Sequence, residues 1–162
     1  MEIKKEKIVY RPAVNDDVPA LANYRVQFLN EHFNHPENND TEVVRESLQE
    51  YFAKAIPTRN YIAWVAEQEG RIIATSGMVV WQKPAMYGGV ESGKLGYLLN
   101  FYTIPQARRK GIATRLLNEL VSEAKSLGLK YLHLHASKDG INIYRNAGFV
   151  EPWEPELELK LE

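Results

Sequence analysis

The stretch 95–128 constrains this chain more than any other. Positions 95–104 are almost continuously apolar, the pattern of a long strand buried on both faces, and Pro105 ends it. A short basic turn follows, Gln106-Ala107-Arg108-Arg109-Lys110-Gly111. Beyond it Ile112, Leu116, Leu117, Leu120, Val121, Ala124 and Leu127 fall on one helical stripe, and Gly128 is a natural stop. A buried strand that turns directly into an amphipathic helix belongs to a mixed α/β domain.

The turn is also where chemistry is expected. The first amides of a helix have no partner inside it, and the helix dipole favours negative charge at that end. A phosphate can be held there by backbone groups alone. Gly111 has no Cβ and lets a ligand approach the backbone, Ala113 is small, and Arg108, Arg109 and Lys110 supply positive charge. The turn has neither the Gly-Lys-Ser/Thr of a P-loop nor the Gly-x-Gly-x-x-Gly of a dinucleotide site. On local physics alone, an ordinary strand-to-helix turn with a solvated basic rim explains it equally well.

The rest of the chain fits around this unit in the order β-α-α-β-β-β-α-β-α-β-β. A strand at 8–11 ends at Pro12, and Asn15 or Asp16 offers a cap for a helix running to Leu29. Positions 30–40 read as a loop, and a second helix runs from Thr41 to Pro57. Two strands, 61–67 and 71–81, flank Glu69-Gly70 as a hairpin. Positions 84–93 form a glycine-rich turn. After the central helix come an alternating strand at 131–136, a short helix at 139–146 and two last strands at 149–153 and 156–161. No repeat, linker or low-complexity segment divides the chain, so 1–162 is read as a single domain.

Composition removes whole classes. With 162 residues the chain can bury a full core without staples. It has no cysteine, which excludes disulfides, thiolate metal sites and a cysteine nucleophile, and no metal is expected. A net charge of −1 argues against a general nucleic-acid binder. No apolar run approaches the roughly 20 residues of a membrane span, and the charged start carries no signal-peptide pattern. The expectation is a soluble, cytoplasmic protein.

The segment Gly96-Tyr97-Leu98-Leu99-Asn100-Phe101-Tyr102-Thr103-Ile104-Pro105, followed by Arg108-x-x-Gly111-x-Ala113, resembles the acetyl-CoA motif of the GNAT N-acetyltransferase superfamily. Ile143-Tyr144-Arg145-Asn146-Ala147-Gly148-Phe149 resembles that family's later Tyr-x-x-x-Gly-Phe segment. The resemblance implies a mixed, mostly antiparallel sheet flanked by helices, with a splayed strand pair forming a CoA slot. It implies acetyl-CoA as cosubstrate and a small-molecule or peptide amine as acceptor. Its pyrophosphate would sit on the amides of Arg109, Lys110, Gly111, Ile112, Ala113 and Thr114, next to the Arg108 side chain. Pantetheine would lie along Phe101, Tyr102 and Thr103, and Asn142 is a weaker contact. Tyr144 would protonate the leaving thiolate, a role open to a hydroxyl of pKa about 10, although a ring simply packed in the core also fits its type.

The acceptor side is less readable. The family often places a carboxylate on the strand before the turn, near Tyr97 here, but 95–104 contains no Asp or Glu. Glu31, His32, His35, Glu37, His133 and His135 are alternative bases, each also plausible as a plain surface residue. No histidine has an evident orienting partner in the sequence, so the rate at low amine is expected to follow the amine's own ionisation. Glu151, Glu154 and Glu156 around Trp153 suggest a cationic pocket or a solvated turn. The last two strands leave a homodimer open. A non-catalytic acyl-CoA-binding module and a nucleotide-binding domain are the competing readings.

Overall fold

The computed structural model describes residues 7–88 and 92–161. β1 (Val9–Pro12), β2 (Tyr61–Gln68), β3 (Arg71–Gln82), β4 (Lys94–Thr103) and β5 (Leu132–His133) form one sheet in that spatial order. β1 to β4 are antiparallel neighbours, and β5 lies parallel to β4. That parallel step is made possible by the crossover helix α3 (Ile112–Ser126). Helices α1 (Val18–Phe33) and α2 (Asn39–Ala55) cover one face, and α3 covers the other together with the short α4 (Ile141–Asn146).

The alternation of each strand builds both cores. Tyr61, Ala63 and Val65 of β2 join Val18, Leu21 and Ala22 of α1 and Phe52 and Ala55 of α2. Ile62 of β2, with Met78 and Leu98, faces Leu117, Leu120 and Ala124 of α3. Burying each such large side chain stabilises the fold by about 1.5–3 kcal/mol, which fixes which face of α3 meets the sheet and so where its first turn lies. At the sheet's other end Ile112 and Leu116 pack on Ile73 and Ala74 and anchor that turn against β3.

Several boundaries depart from the sequence reading. α1 continues to Phe33, into the stretch expected as loop, and stops where Asn34 takes a left-handed φ of 51°. α2 begins at Asn39 rather than Thr41, and Asn38 caps it, its side chain accepting from the Thr41 amide at 3.2 Å. Neither Asn15 nor Asp16 caps α1. Asp17 instead accepts from the Val14 amide at 2.8 Å and from Arg11 at 2.7 Å. Part of the expected turn at 84–93 lies outside the described residues.

The largest correction is at the C-terminus. Residues 149–153 and 156–161 form no strand, and Trp153, Leu157, Leu159 and Leu161 are exposed. Their apolar alternation satisfies the local pattern of a strand, but among the described residues no neighbouring strand takes up their backbone groups. β5 is also shorter than expected and ends at His133.

Candidate active site

The parallel pairing of β4 and β5 covers only Gly96 with Leu132 and Tyr97 with His133. On its β5 side, β4 then runs on to Thr103 with no strand paired to it among the described residues, so that edge lines an open slot. The slot points at the start of α3. A bulge sits in the same stretch: Gly77 pairs with Leu99 and Thr75 with Tyr102, so Ser76 alone faces Asn100 and Phe101.

The bulge decides which side chains meet. Asn100 adopts φ 60°, a conformation asparagine tolerates better than most residues. The extra residue reverses the in–out alternation beyond it. Phe101 therefore joins the α3–α4 core, while Tyr102 stacks on Tyr24 of α1 with ring centroids 5.5 Å apart. Asn100 Nδ2 donates to the Tyr61 hydroxyl at 2.6 Å, and the Asn100 carbonyl accepts from Thr75 at 3.2 Å. Gly77 makes room for this arrangement, because a Cβ there would collide with the Tyr61 hydroxyl. A polar residue inside an apolar strand is the sequence signal for the bulge, and the motif reading passes over it.

The turn suits an anion. Arg109 has φ 61° and Gly111 φ 77°, and no side chain caps α3. Its first-turn amides thus have neither helical nor side-chain acceptors. A Cβ on Gly111 would meet nothing within 4 Å, so there is open space above the turn. Arg109 and Lys110 are exposed and form no ion pair among the described residues. Arg108 is engaged differently: it donates to Glu31 Oε2 of α1 at 2.7 Å and to the Thr103 carbonyl at 2.8 Å. Its charge is already partnered, and that carbonyl is taken. The residues present fit a CoA pyrophosphate at the amides, with Arg109 and Lys110 the available cations.

Tyr144 lies on the other side of the slot. Its ring meets Phe101 edge-on at 5.7 Å and Phe149 at 6.0 Å, and so packs at the margin of the α3–α4 core. Burial pushes its pKa up to about 12. Its hydroxyl has no hydrogen-bond partner among the described residues, so it is protonated at neutral pH and has a proton to give. Asn142 is exposed in the first turn of α4.

Of the candidate bases, His135 is the one the fold organises. Its Nδ1 is hydrogen-bonded to the Tyr97 hydroxyl and its Nε2 lies 3.1 Å from Glu156. Tyr97 itself stands on the last paired rung before the slot opens and stacks on Trp81 at 4.7 Å. Burial, and then Glu156, raise the Tyr97 pKa, so it too is protonated near neutrality. His32 is sandwiched between Phe28 and Phe33, Glu37 pairs with Arg45, and Glu31 serves Arg108 and Tyr102. Burial first, then the bond to Glu31, push Tyr102 up to about 12. Trp153 is 98% exposed, while Glu151 pairs with Arg145, so the segment around it is a solvated charged stretch rather than a cage.

Among the described residues no cluster of His, Asp or Glu could hold a metal ion, and no helix is long and apolar enough to cross a membrane.

This slot, running from a bulged strand into an uncapped helix start, defines a class. A profile of the Acetyltransferase (GNAT) family matches residues 25–149, and the chain belongs to that family. It is an acyltransferase of the GNAT fold. A solved structure of a predicted acetyltransferase with acetyl-CoA from Clostridium acetobutylicum is 32% identical, with a TM-score of 0.85 over 95% of this chain and 96% of that one. A GCN5-related N-acetyltransferase from Ralstonia eutropha shares the fold at 24% identity and a TM-score of 0.82, over 94% and 99% of the two chains. Glucosamine-6-phosphate N-acetyltransferase from Arabidopsis thaliana does so at 18% identity and a TM-score of 0.69, over 97% and 100%. No curated protein matches the sequence.

Proposed function

We propose that this chain, acting as one domain over 1–162, transfers the acetyl group of acetyl-CoA to a primary amine by direct attack. The observation that carries the reading is the unpaired edge of β4, from Leu98 to Thr103, leading into the free amides of α3 while Tyr144 closes the slot against Phe101. The amides of 109–114 hold the pyrophosphate, and the Phe101 backbone lines the pantetheine path. The amides at Phe101 and Thr103 stay useful to it even though Arg108 occupies the Thr103 carbonyl.

Acetyl-CoA supplies the acetyl thioester. The chain's own groups handle protons. The incoming ammonium gives its proton to the Tyr97 oxygen as the Tyr97 hydroxyl passes its own to His135 Nδ1, and Glu156 stabilises the resulting imidazolium. The neutral amine nitrogen then bonds to the acetyl carbon. As the carbon–sulfur bond breaks, the departing sulfur takes the proton of Tyr144, the new amide nitrogen loses its extra proton to solvent, and solvent reprotonates Tyr144 and takes the proton from His135.

The missing carboxylate on β4 favours one other reading, a module that binds acyl-CoA without turning it over. Steady CoA release with polyamines, amino acids, aminoglycosides and peptide N-termini separates the two. Release above the rate of thioester hydrolysis with any amine supports transfer. Tight CoA binding with no release across the panel supports the module. Displacement of CoA by ATP at equal concentrations would point to a general nucleotide site instead.

A further inference from the structure

Arg25 is an unusual cation in this molecule. Arg11, Arg45, Arg59, Arg108, Arg115 and Arg145 each hold a carboxylate. Arg25 is partly buried on α1 and has no acidic partner among the described residues. Its guanidinium lies 5.5 Å from the Phe28 ring centroid, and its field reaches the hydroxyls of Tyr61 and Tyr97. A guanidinium cannot shed its proton at any working pH, so it cannot escape desolvation by neutralising. Burial indeed works against its charge here, and only tyrosines oppose that effect.

Its location gives the unpaired charge a purpose. Tyr24, its neighbour on α1, is stacked on Tyr102 of β4 and locks the helix to the bulged strand. Tyr61 accepts from Asn100 at the bulge, and Tyr97 stands where β4 and β5 part. Asn100 is 7% exposed, and its Oδ1 is buried without a partner, a second polar group at the bulge that nothing in the fold satisfies. The α1 face of the bulge therefore offers a desolvated guanidinium and an idle amide oxygen, one suited to an anion and the other to a donor such as an N–H.

We propose that Arg25 binds an anionic oxygen group of the acceptor, so that the substrate is an amine that also carries a carboxylate or a phosphate. The inference rests on the acetyl-transfer reading for its consequence in catalysis, but the anion site itself does not. A planar carboxylate or a phosphate can accept two parallel bonds from one guanidinium, which fixes orientation as well as charge. Held there, the acceptor presents its nitrogen toward Tyr97 and the Asn100 amide oxygen.

Two measurements test it. In the first, acceptors are paired by presence or absence of the anion, with rates compared per unit of neutral amine: an amino acid against its methyl ester, and glucosamine 6-phosphate against glucosamine. One member of the anionic set is expected to exceed its neutral partner by at least about tenfold in kcat/KM, and which pair responds tells carboxylate from phosphate. Arg25→Gln should raise KM for that acceptor at least about tenfold with little change in kcat, and Arg25→Lys should recover part of the loss. Neutral acceptors preferred throughout, or equal losses for both members of a pair, overturn the proposal. In the second, the Nε–Hε resonance of Arg25, assigned by its disappearance in Arg25→Gln, is followed during titration with acetate and with inorganic phosphate, CoA being present to occupy the turn. A saturable shift with either anion is expected. No shift with both overturns the anion site, even if amines are acetylated. A shift without any acetyl transfer keeps the site and overturns the acetyl-transfer reading alone.

Discussion

The two walls of the slot are built on different principles. The proposed cosubstrate wall is mainly backbone: the free edge of β4, the positive φ at Arg109 and Gly111, and the first amides of α3. Its residues are close in sequence and its requirements are negative ones, such as an absent Cβ or an absent cap. The proposed acceptor wall consists of side chains delivered from far apart: Arg25 from α1, Tyr61 from β2, Tyr97 and Asn100 from β4, His135 and Glu156 from beyond β5. A backbone wall accepts one chemistry and tolerates sequence drift wherever small residues remain. A side-chain wall changes its ligand with single substitutions. On this proposal one cosubstrate site is compatible with many different acceptors.

The sharpest way to break the comparison is at Tyr144, a residue of the slot whose proposed role needs its hydroxyl. Tyr144→Phe keeps the ring against Phe101 and removes the proton. Turnover should fall on the order of a hundredfold, with acetyl-CoA affinity nearly unchanged. Equal turnover in the variant would leave Tyr144 as a packing residue. Because its pKa lies near 12, an acid at this position remains protonated through the alkaline range, and no loss of rate from its ionisation is expected up to about pH 11.

Gly111 probes the backbone wall itself. Gly111→Val puts a branched side chain into the open space above the turn, at a φ of 77° that β-branched residues rarely adopt. CoA affinity by calorimetry should drop well over tenfold, about 1.4 kcal/mol or more, while the melting temperature shows that the fold persists. Affinity within twofold of the parent would move the pyrophosphate off this turn.

The same contrast governs what the sequence could reveal. The strand, turn and helix at 95–128 were legible because each is coded by local periodicity and punctuated by Pro105, Gly111 and Gly128. Asn100 marked the bulge, but only its opposition to Gly77 and Tyr61 gives it meaning. The C-terminal alternation of Leu157, Leu159 and Leu161 misled for the opposite reason: it has the period of a strand and lacks a partner to pair with. On the acceptor wall, Tyr97 and His135 are 38 residues apart and Tyr102 and Glu31 are 71 apart, so neither bond has any local signature.

A smaller effect is expected at His135. No orienting partner for it is legible in the sequence, and the structure provides two, Tyr97 and Glu156. His135→Ala should slow the reaction at low amine by about tenfold, less than the hundredfold or more of a base in direct contact, because its side chain is 66% exposed and water can replace it. The parent profile should bend at the same pH for two amines of different basicity. The variant should lose the bend and follow each amine's own pKa. A parent profile that already follows the amine would remove His135 from the proton path.

The smallest effect belongs to Glu31, where the two walls touch. It joins α1 to the turn through Tyr102 at 2.7 Å and Arg108 at 2.7 Å, and so places a negative charge beside the anion site. Arg108 and Glu31 are 43% and 48% exposed, and a pair so open to solvent contributes at most about 1 kcal/mol. Glu31→Gln keeps the oxygen that accepts from Tyr102 and removes the charge. Arg108 then keeps its bond to the Thr103 carbonyl but loses its counter-ion, and its positive field becomes available to a pyrophosphate. CoA should bind more tightly by up to about fivefold at low ionic strength, and the gain should shrink at high salt, where exposed charges are screened. Weaker binding, unaffected by salt, would mean that Glu31 serves the turn by holding Arg108 in place. In that case the backbone wall depends on a side chain of α1, and the separation between the two walls fails at that point.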